Sequence, residues 1–256
     1  MKCGICRLFV TLLMLIGFSG CGGGGGSSAA VSSPAATSAL QGVFEGSNSV
    51  GTGENVIVLE DGSFWNMYGT STVSAFLVSG VADGVASTSG GSYTLTYTAF
   101  PAPGSTPVSG TGSGTYTATT IAGSDTAGGQ TTTINLASPI TSNYNYNTPA
   151  VLSAISGSWS GSLLDGETGT IVISSSGAIS GTSSLGCSVT GTITPRPSGK
   201  NVFNVTLTFG AAPCALPGQS TSGIALTYPL GNGTNQLIAG LVTPSQSKAT
   251  AFFAVR

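Results

Sequence analysis

Gly42-Val43-Phe44-Glu45-Gly46 and Gly157-Ser158-Trp159-Ser160-Gly161 are the two stretches whose reading decides the fold. They share a glycine–x–aromatic–x–glycine pattern and stand 115 residues apart. At the same offset Ile57-Val58 falls on Val172-Ile173 and Gly62 falls on Gly177. Leu95-Thr96-Tyr97 then matches Leu207-Thr208-Phe209, and Pro103-Gly104 lies near Pro217-Gly218, with the small drift that loop insertions produce. Self-similarity on this scale means two copies of one structural unit. We place the units at 40–141 and 154–256, with 142–153 as the link, including the run S-N-Y-N-Y-N-T-P.

Each unit alternates with period two. Tyr93, Leu95, Tyr97 and Ala99 alternate with Thr94, Thr96 and Thr98, and Phe203, Val205, Leu207 and Phe209 alternate with Asn204, Thr206 and Thr208. Cys187, Val189 and Ile193 do the same against Ser188, Thr190, Thr192 and Thr194. This is the signature of strands with one buried and one wetted face. No amphipathic helix interrupts the pattern. Glu60-Asp61-Gly62-Ser63 and Ser175-Ser176-Gly177 read as hairpin turns. In the second unit strands are expected around 158–164, 169–174, 177–183, 187–194, 201–209, 222–229, 235–242 and 249–255. Eight short antiparallel strands joined by hairpins point to an up-and-down barrel, whose closure removes exposed sheet edges. The fold class is therefore all-β, two tandem small barrels, with a pair of β-sandwiches as the alternative.

The glycine–x–aromatic–x–glycine strand resembles the opening strand of small calycin-like barrels. These include the avidins and the barrel domains of surface lipoproteins similar to transferrin-binding protein B. The resemblance covers five residues in each half and implies a barrel fold. The remaining avidin pattern is absent, so biotin is not expected as a ligand.

The N-terminus carries a second resemblance. Lys2 and Arg7 precede an apolar stretch from Leu8 to Phe18 that ends in Phe18-Ser19-Gly20-Cys21. The stretch is far shorter than the ~20 residues a membrane-spanning helix needs and reads as a signal segment, residues 1–20. Its last four residues resemble the lipobox of bacterial lipoproteins, with Phe18 where leucine is usual. The resemblance implies lipidation of Cys21 and a membrane partner reached through acyl chains, each buried methylene contributing about 0.8 kcal/mol. By the same resemblance Gly22, in place of Asp, implies the outer membrane, facing the periplasm or the exterior. Residues 21–39, rich in Gly, Ser and Ala, read as the lipidated cysteine and a flexible tether. About 17 residues of such chain have an r.m.s. span near 23 Å.

Charged residues make up 5% of the chain, far below the ~25% of ordinary soluble domains. Beyond residue 20 the basic residues are Arg196, Lys200, Lys248 and Arg256, against eight acidic ones. With no basic patch to neutralise phosphates, nucleic acid is not an expected partner. A porin-like barrel is not expected either, since aromatics are too sparse for the girdles such barrels carry. Cys187 and Cys214 are the pair left once Cys3 and Cys6 are assigned to the signal and Cys21 to the lipid. In an oxidising compartment they are expected to form a disulfide.

The chain contains no histidine, which removes serine–histidine and cysteine–histidine nucleophiles and most zinc sites. Asp165 and Glu167 flank Gly166 in an expected hairpin loop and Glu60 and Asp61 lie in another, positions typical of solvated turns and unlike the paired carboxyls of a glycosidase cleft. Asp125-Thr126-Ala127-Gly128 departs from the aspartic-protease triplet at Ala127 and lacks a second copy. No acidic loop suits calcium. We therefore expect no catalytic residues, no metal and no cofactor. Alternation in Ser63-Phe64-Trp65-Asn66-Met67-Tyr68 puts Phe64, Asn66 and Tyr68 on one face and Trp65 and Met67 on the other. One face then meets either the neighbouring unit or a partner, and Trp65 and Tyr68 are the candidate ligand or partner surface. Trp159 is expected to plug its barrel. The functional expectation is a non-enzymatic envelope lipoprotein that binds an unknown protein or glycan or serves a structural role. The alternatives are a small-molecule or glycan binder using a barrel mouth and, more remotely, a cell-envelope glycan hydrolase.

Overall fold

The computed structural model describes residues 38–72, 75–101, 106–139, 144–230 and 232–256. The signal segment, Cys21 and nearly all of the expected tether lie outside the described residues. The first unit comprises β1 (Gly42–Ser47), β2 (Gly53–Val58), β3 (Ser63–Ser71), β4 (Phe76–Ser89), β5 (Ser92–Phe100), β6 (Val108–Tyr116), β7 (Thr120–Ala127) and β8 (Gln130–Ala137). A one-turn helix, α1 (Leu152–Ile155), precedes the second unit. That unit comprises β9 (Gly157–Leu163), β10 (Thr168–Ile173), β11 (Ala178–Ser183), β12 (Ser188–Pro195), β13 (Phe203–Phe209), β14 (Ser220–Pro229), β15 (Asn235–Val242) and β16 (Ala249–Val255). Each set of eight pairs antiparallel in chain order and closes on itself, giving two barrels in tandem. The barrel expectation holds, and sandwiches are excluded.

The repeat is visible in the strand register. β1, β2 and β3 begin at 42, 53 and 63, and β9, β10 and β11 at 157, 168 and 178, each pair 115 residues apart. Gly62 and Gly177 both turn their hairpins at φ 84°, a left-handed conformation that favours glycine. The shared aromatic of the repeat points inward in both copies. Phe44 is buried with Leu40, Val58, Phe64, Ile121 and Leu136 at one end of the first barrel. Trp159 is fully buried in the second, as the plug its position suggested, and donates its ring N–H to the Ile155 carbonyl of α1 at 2.7 Å. The Arg256 guanidinium lies 3.9 Å above the same ring.

The barrels share an apolar interface. Val43, Ile57, Trp65, Met67 and Val81, all on the outer face of the first barrel, pack with Ile224, Leu226, Ile238 and Ala251 of the second. Met67 and Val81 come close enough to Gly240 that a methyl there would stand 3.3 Å from each. Gln236, 1% exposed, crosses this interface. It donates to the Phe76 carbonyl at 2.7 Å and accepts from the Phe76 N–H at 2.8 Å. Nearer the surface, Arg196 reaches Glu60 at 2.7 Å and Asp61 at 2.6 Å, and Tyr146 of the connecting segment donates to Glu60. The two barrels are thus joined by an apolar core, a paired amide and an ion cluster.

Candidate functional site

The two barrel interiors differ because their inward residues differ in size. In the first barrel β4 turns Gly80, Ala82, Gly84 and Ala86 inward, and β6 turns Gly110, Gly112 and Gly114 inward. The second barrel also has inward glycines, Gly191 on β12 and Gly223 on β14, but its interior is filled by Ile171, Ile173, Ile193, Val205, Leu207 and Leu237. A close-packed interior needs side-chain volume from every strand. The first barrel lacks it in its upper half and encloses a cavity of about 380 Å³. The second retains a gap of only about 50 Å³, lined almost wholly by apolar side chains.

The cavity opens at the end carrying the β1–β2, β5–β6 and β7–β8 connections, where Asn48, Thr52, Pro101, Gly128 and Gln130 line it. Its opposite end is filled by Leu40, Phe44 and Val58. In the second barrel the end equivalent to this mouth is covered. The Cys187–Cys214 disulfide links the start of β12 to the β13–β14 connection, and Phe209 and Leu216 pack beneath it.

Three tyrosines shape the cavity, and each lies where a neighbouring strand has no side chain. Tyr68 lies over Gly80, where a Cβ would stand 2.1 Å from its ring. Tyr97 lies over Gly110, with 2.3 Å to a Cβ there, and the Tyr93 hydroxyl reaches Gly123. A β-bulge between Tyr68 and Gly69 shifts the β3–β4 register at the same point, a device that re-aims a side chain beside a site. Phe64 completes the aromatic wall, its ring 5.7 Å from that of Tyr97.

Two carboxylates stand among these rings. Glu54, on β2, is 7% exposed. It accepts from the Asn48 amide at 2.7 Å and from the Asn66 amide at 2.5 Å. Burial raises its pKa to about 7; the Asn66 and Asn48 hydrogen bonds oppose that rise and the nearby Asp125 charge adds to it. Asp125, on β7, accepts from Thr132 at 2.6 Å and from the Tyr97 hydroxyl at 3.2 Å. Burial pushes Tyr93 up to about 12, with Asp125 adding to the shift. Burial and the two carboxylates push Tyr97 higher still. The Tyr93 hydroxyl and the Asn66 Oδ1 are buried without a hydrogen-bond partner.

The residues singled out by sequence are distributed as follows. Tyr68 lines the cavity. Trp65 faces the other way, 9% exposed, into the inter-barrel core. The structure therefore does not bring Trp65 and Tyr68 onto one surface, because they sit an odd number of residues apart on one strand. Asp165 and Glu167 lie in the β9–β10 turn, where Asp165 accepts from the Glu167 N–H. Glu60 and Asp61 hold Arg196. Burial works against both charges, but backbone and arginine hydrogen bonds outweigh it and both pKa values fall. Sequence reasoning missed Glu54, Asn48, Tyr93 and Tyr97 as site residues and passed over Asp125. The available signal was the run Gly110-Thr111-Gly112-Ser113-Gly114, a strand with a bare inward face. Among the described residues no three His, Cys, Asp or Glu side chains converge as metal ligands.

No protein-family model and no curated protein matches the chain. Two solved structures show similarity to the chain. One is the isotype 1 transferrin binding protein B from serogroup B Neisseria meningitidis, with 10% identity and a TM-score of 0.29, covering 80% of this chain. This chain spans 65% of the length of that protein. The other is a protein of unknown function from Nostoc punctiforme, with 13% identity and a TM-score of 0.23, covering 84% of this chain and 94% of that one. At these values neither similarity carries information about ligand or role.

Proposed function

We propose that this chain is a lipid-anchored envelope protein that binds a small organic molecule in the mouth of its first barrel, without catalysis. The observation that carries the reading is the contrast between two copies of one fold. One copy is filled with aliphatic side chains and covered by a disulfide-linked loop, while the other holds a cavity of about 380 Å³ walled by tyrosines, amides and carboxylates. That volume falls within the range of small-molecule sites, which combine apolar walls with a few placed polar groups. A purely structural role gives no reason for an interior Glu54 that raises the cost of folding at neutral pH. The lipid anchor at Cys21 and the outer-membrane location rest on the N-terminal resemblance.

Ala127 ends β7 beside the cavity mouth, and Ala127→Trp obstructs it without touching the closed end. Compounds from a small-molecule set that raise the melting temperature of the wild-type protein are expected to lose that effect on Ala127→Trp. Equal shifts in both proteins refute binding in this cavity. Hydrolysis of envelope glycans that disappears on changing Asp165 or Glu167 refutes the non-catalytic reading.

A further inference from the structure

We infer that the molecule held in the first barrel is an organic cation, an amine or quaternary ammonium on a compact apolar body, seated between Glu54, Asp125 and the tyrosine rings. The inference rests on the small-molecule reading above and gives that ligand its charge.

Charge balance is the first argument. Glu54 and Asp125 both line the cavity, and no lysine or arginine does. Every described basic residue lies in the second unit and has other surroundings. Arg196 holds Glu60 and Asp61, Lys200 sits over Tyr146, Arg256 covers Trp159, and Lys248 stands in the β15–β16 turn. A buried carboxylate such as Glu54 without a counter-charge is costly, and a cation entering the cavity removes that cost.

Unmet hydrogen-bonding capacity is the second argument, independent of the first. Tyr93 is 2% exposed and its hydroxyl has no partner. The Asn66 amide nitrogen is committed to Glu54, which leaves its carbonyl oxygen as a buried acceptor with nothing to accept from. A primary ammonium brings three donors and no acceptor, and so supplies the donors that the Tyr93 and Asn66 oxygens lack. The ring faces of Tyr68, Tyr97 and Phe64 then attract the same charge, an effect worth more where water is excluded. A bare metal ion fits less well. A hard divalent cation takes about six or more oxygen ligands, and the cavity supplies two carboxylates in a space far larger than one ion.

Isothermal titration of the purified chain at pH 8 tests this with four probes. 2-Phenylethylammonium and phenyltrimethylammonium carry the charge; 2-phenylethanol and phenylacetate carry a similar body without it or with its opposite. The ammonium probes are expected to bind at least tenfold more tightly than the alcohol, and phenylacetate not to bind. Glu54→Gln and Asp125→Asn, both close in shape to the residues they replace, are each expected to weaken the ammonium tenfold or more and leave the alcohol unchanged. Alcohol binding as tight as ammonium binding overturns the inference while leaving the small-molecule reading intact. Failure of the ammonium probes to bind also overturns it, and the Ala127→Trp comparison judges the broader reading separately.

Discussion

Removing the charge from Glu54 should make the ligand-free protein less sensitive to rising pH. The folded-state pKa of Glu54 is about 7, against 4.5 for the free side chain. The folded state therefore binds this proton more tightly than the unfolded state. A group shifted upward in this way stabilises below its unfolded pKa and loses that contribution as pH rises through the folded value. Between pH 5.5 and 8 the expected loss from this residue is about 2 kcal/mol. In Glu54→Gln the amide keeps its acceptor oxygen for Asn48, whose own carbonyl is fixed by the Val50 and Thr52 N–H groups. Asn66 has a free carbonyl and can rotate to accept from the new amide. The variant should therefore match the wild type near pH 5.5 and exceed it at pH 8. The assay is urea unfolding followed by tryptophan fluorescence at half-unit steps, without ligand. At an m-value of 2 to 3 kcal/mol/M, the gap at pH 8 corresponds to a midpoint difference of roughly 0.7 to 1 M. Part of the wild-type slope survives in the variant, since burial also raises Glu45 to about 7 and raises Asp83. Equal slopes for the two proteins, or a wild type that gains stability from pH 5.5 to 8, would refute the placement of an uncompensated carboxyl inside the barrel.

Three other outcomes follow from the packing and a fourth from the proposed lipid anchor. Gly110→Ala places a methyl 2.3 Å from the Tyr97 ring and should destabilise by about 1–3 kcal/mol, read as a lower urea midpoint; no change means the ring does not lie across that glycine. Replacing Cys187 and Cys214 by serine opens a link between residues 27 apart and should cost about 3.5 kcal/mol in the chain-entropy treatment, seen as a fall in Tm that reductant reproduces in the wild type. Gln236→Ala leaves the buried Phe76 N–H and carbonyl without partners and should cost roughly 2–4 kcal/mol, with calorimetry checking whether one unfolding transition becomes two. Cys21→Ser should abolish incorporation of labelled palmitate and release the protein from the membrane fraction; retention of label refutes the lipid assignment.

The architecture was legible because barrels impose regular patterns. Two copies of a five-residue figure, period-two alternation and glycine turns at equal offsets led to tandem eight-stranded barrels and to the inward Trp159. The disulfide was legible by counting. The site was not, for a physical reason. Isolated acids beside small residues usually mark solvated turns, and Glu54 and Asp125 sit in such company while belonging to strand interiors. Their inward direction depends on the register of β2 and β7, which the pattern of their own residues leaves open. The same ambiguity joined Trp65 to Tyr68. Alternation correctly separated their faces, but only the neighbouring barrel decides which face is covered.

Polarity of attachment follows from where the chain enters the first barrel. Ser38 hydrogen-bonds to the Glu60 backbone, and Leu40 seals the filled end just before β1 begins. A strand of six residues, about 20 Å long, separates that end from the mouth. Any load carried through the N-terminal segment bears on the sealed base and not on the loops at the opening. In the proposed role, passage of a ligand through the mouth would thereby be mechanically decoupled from tethering, much as a cup held by its base stays open to be filled.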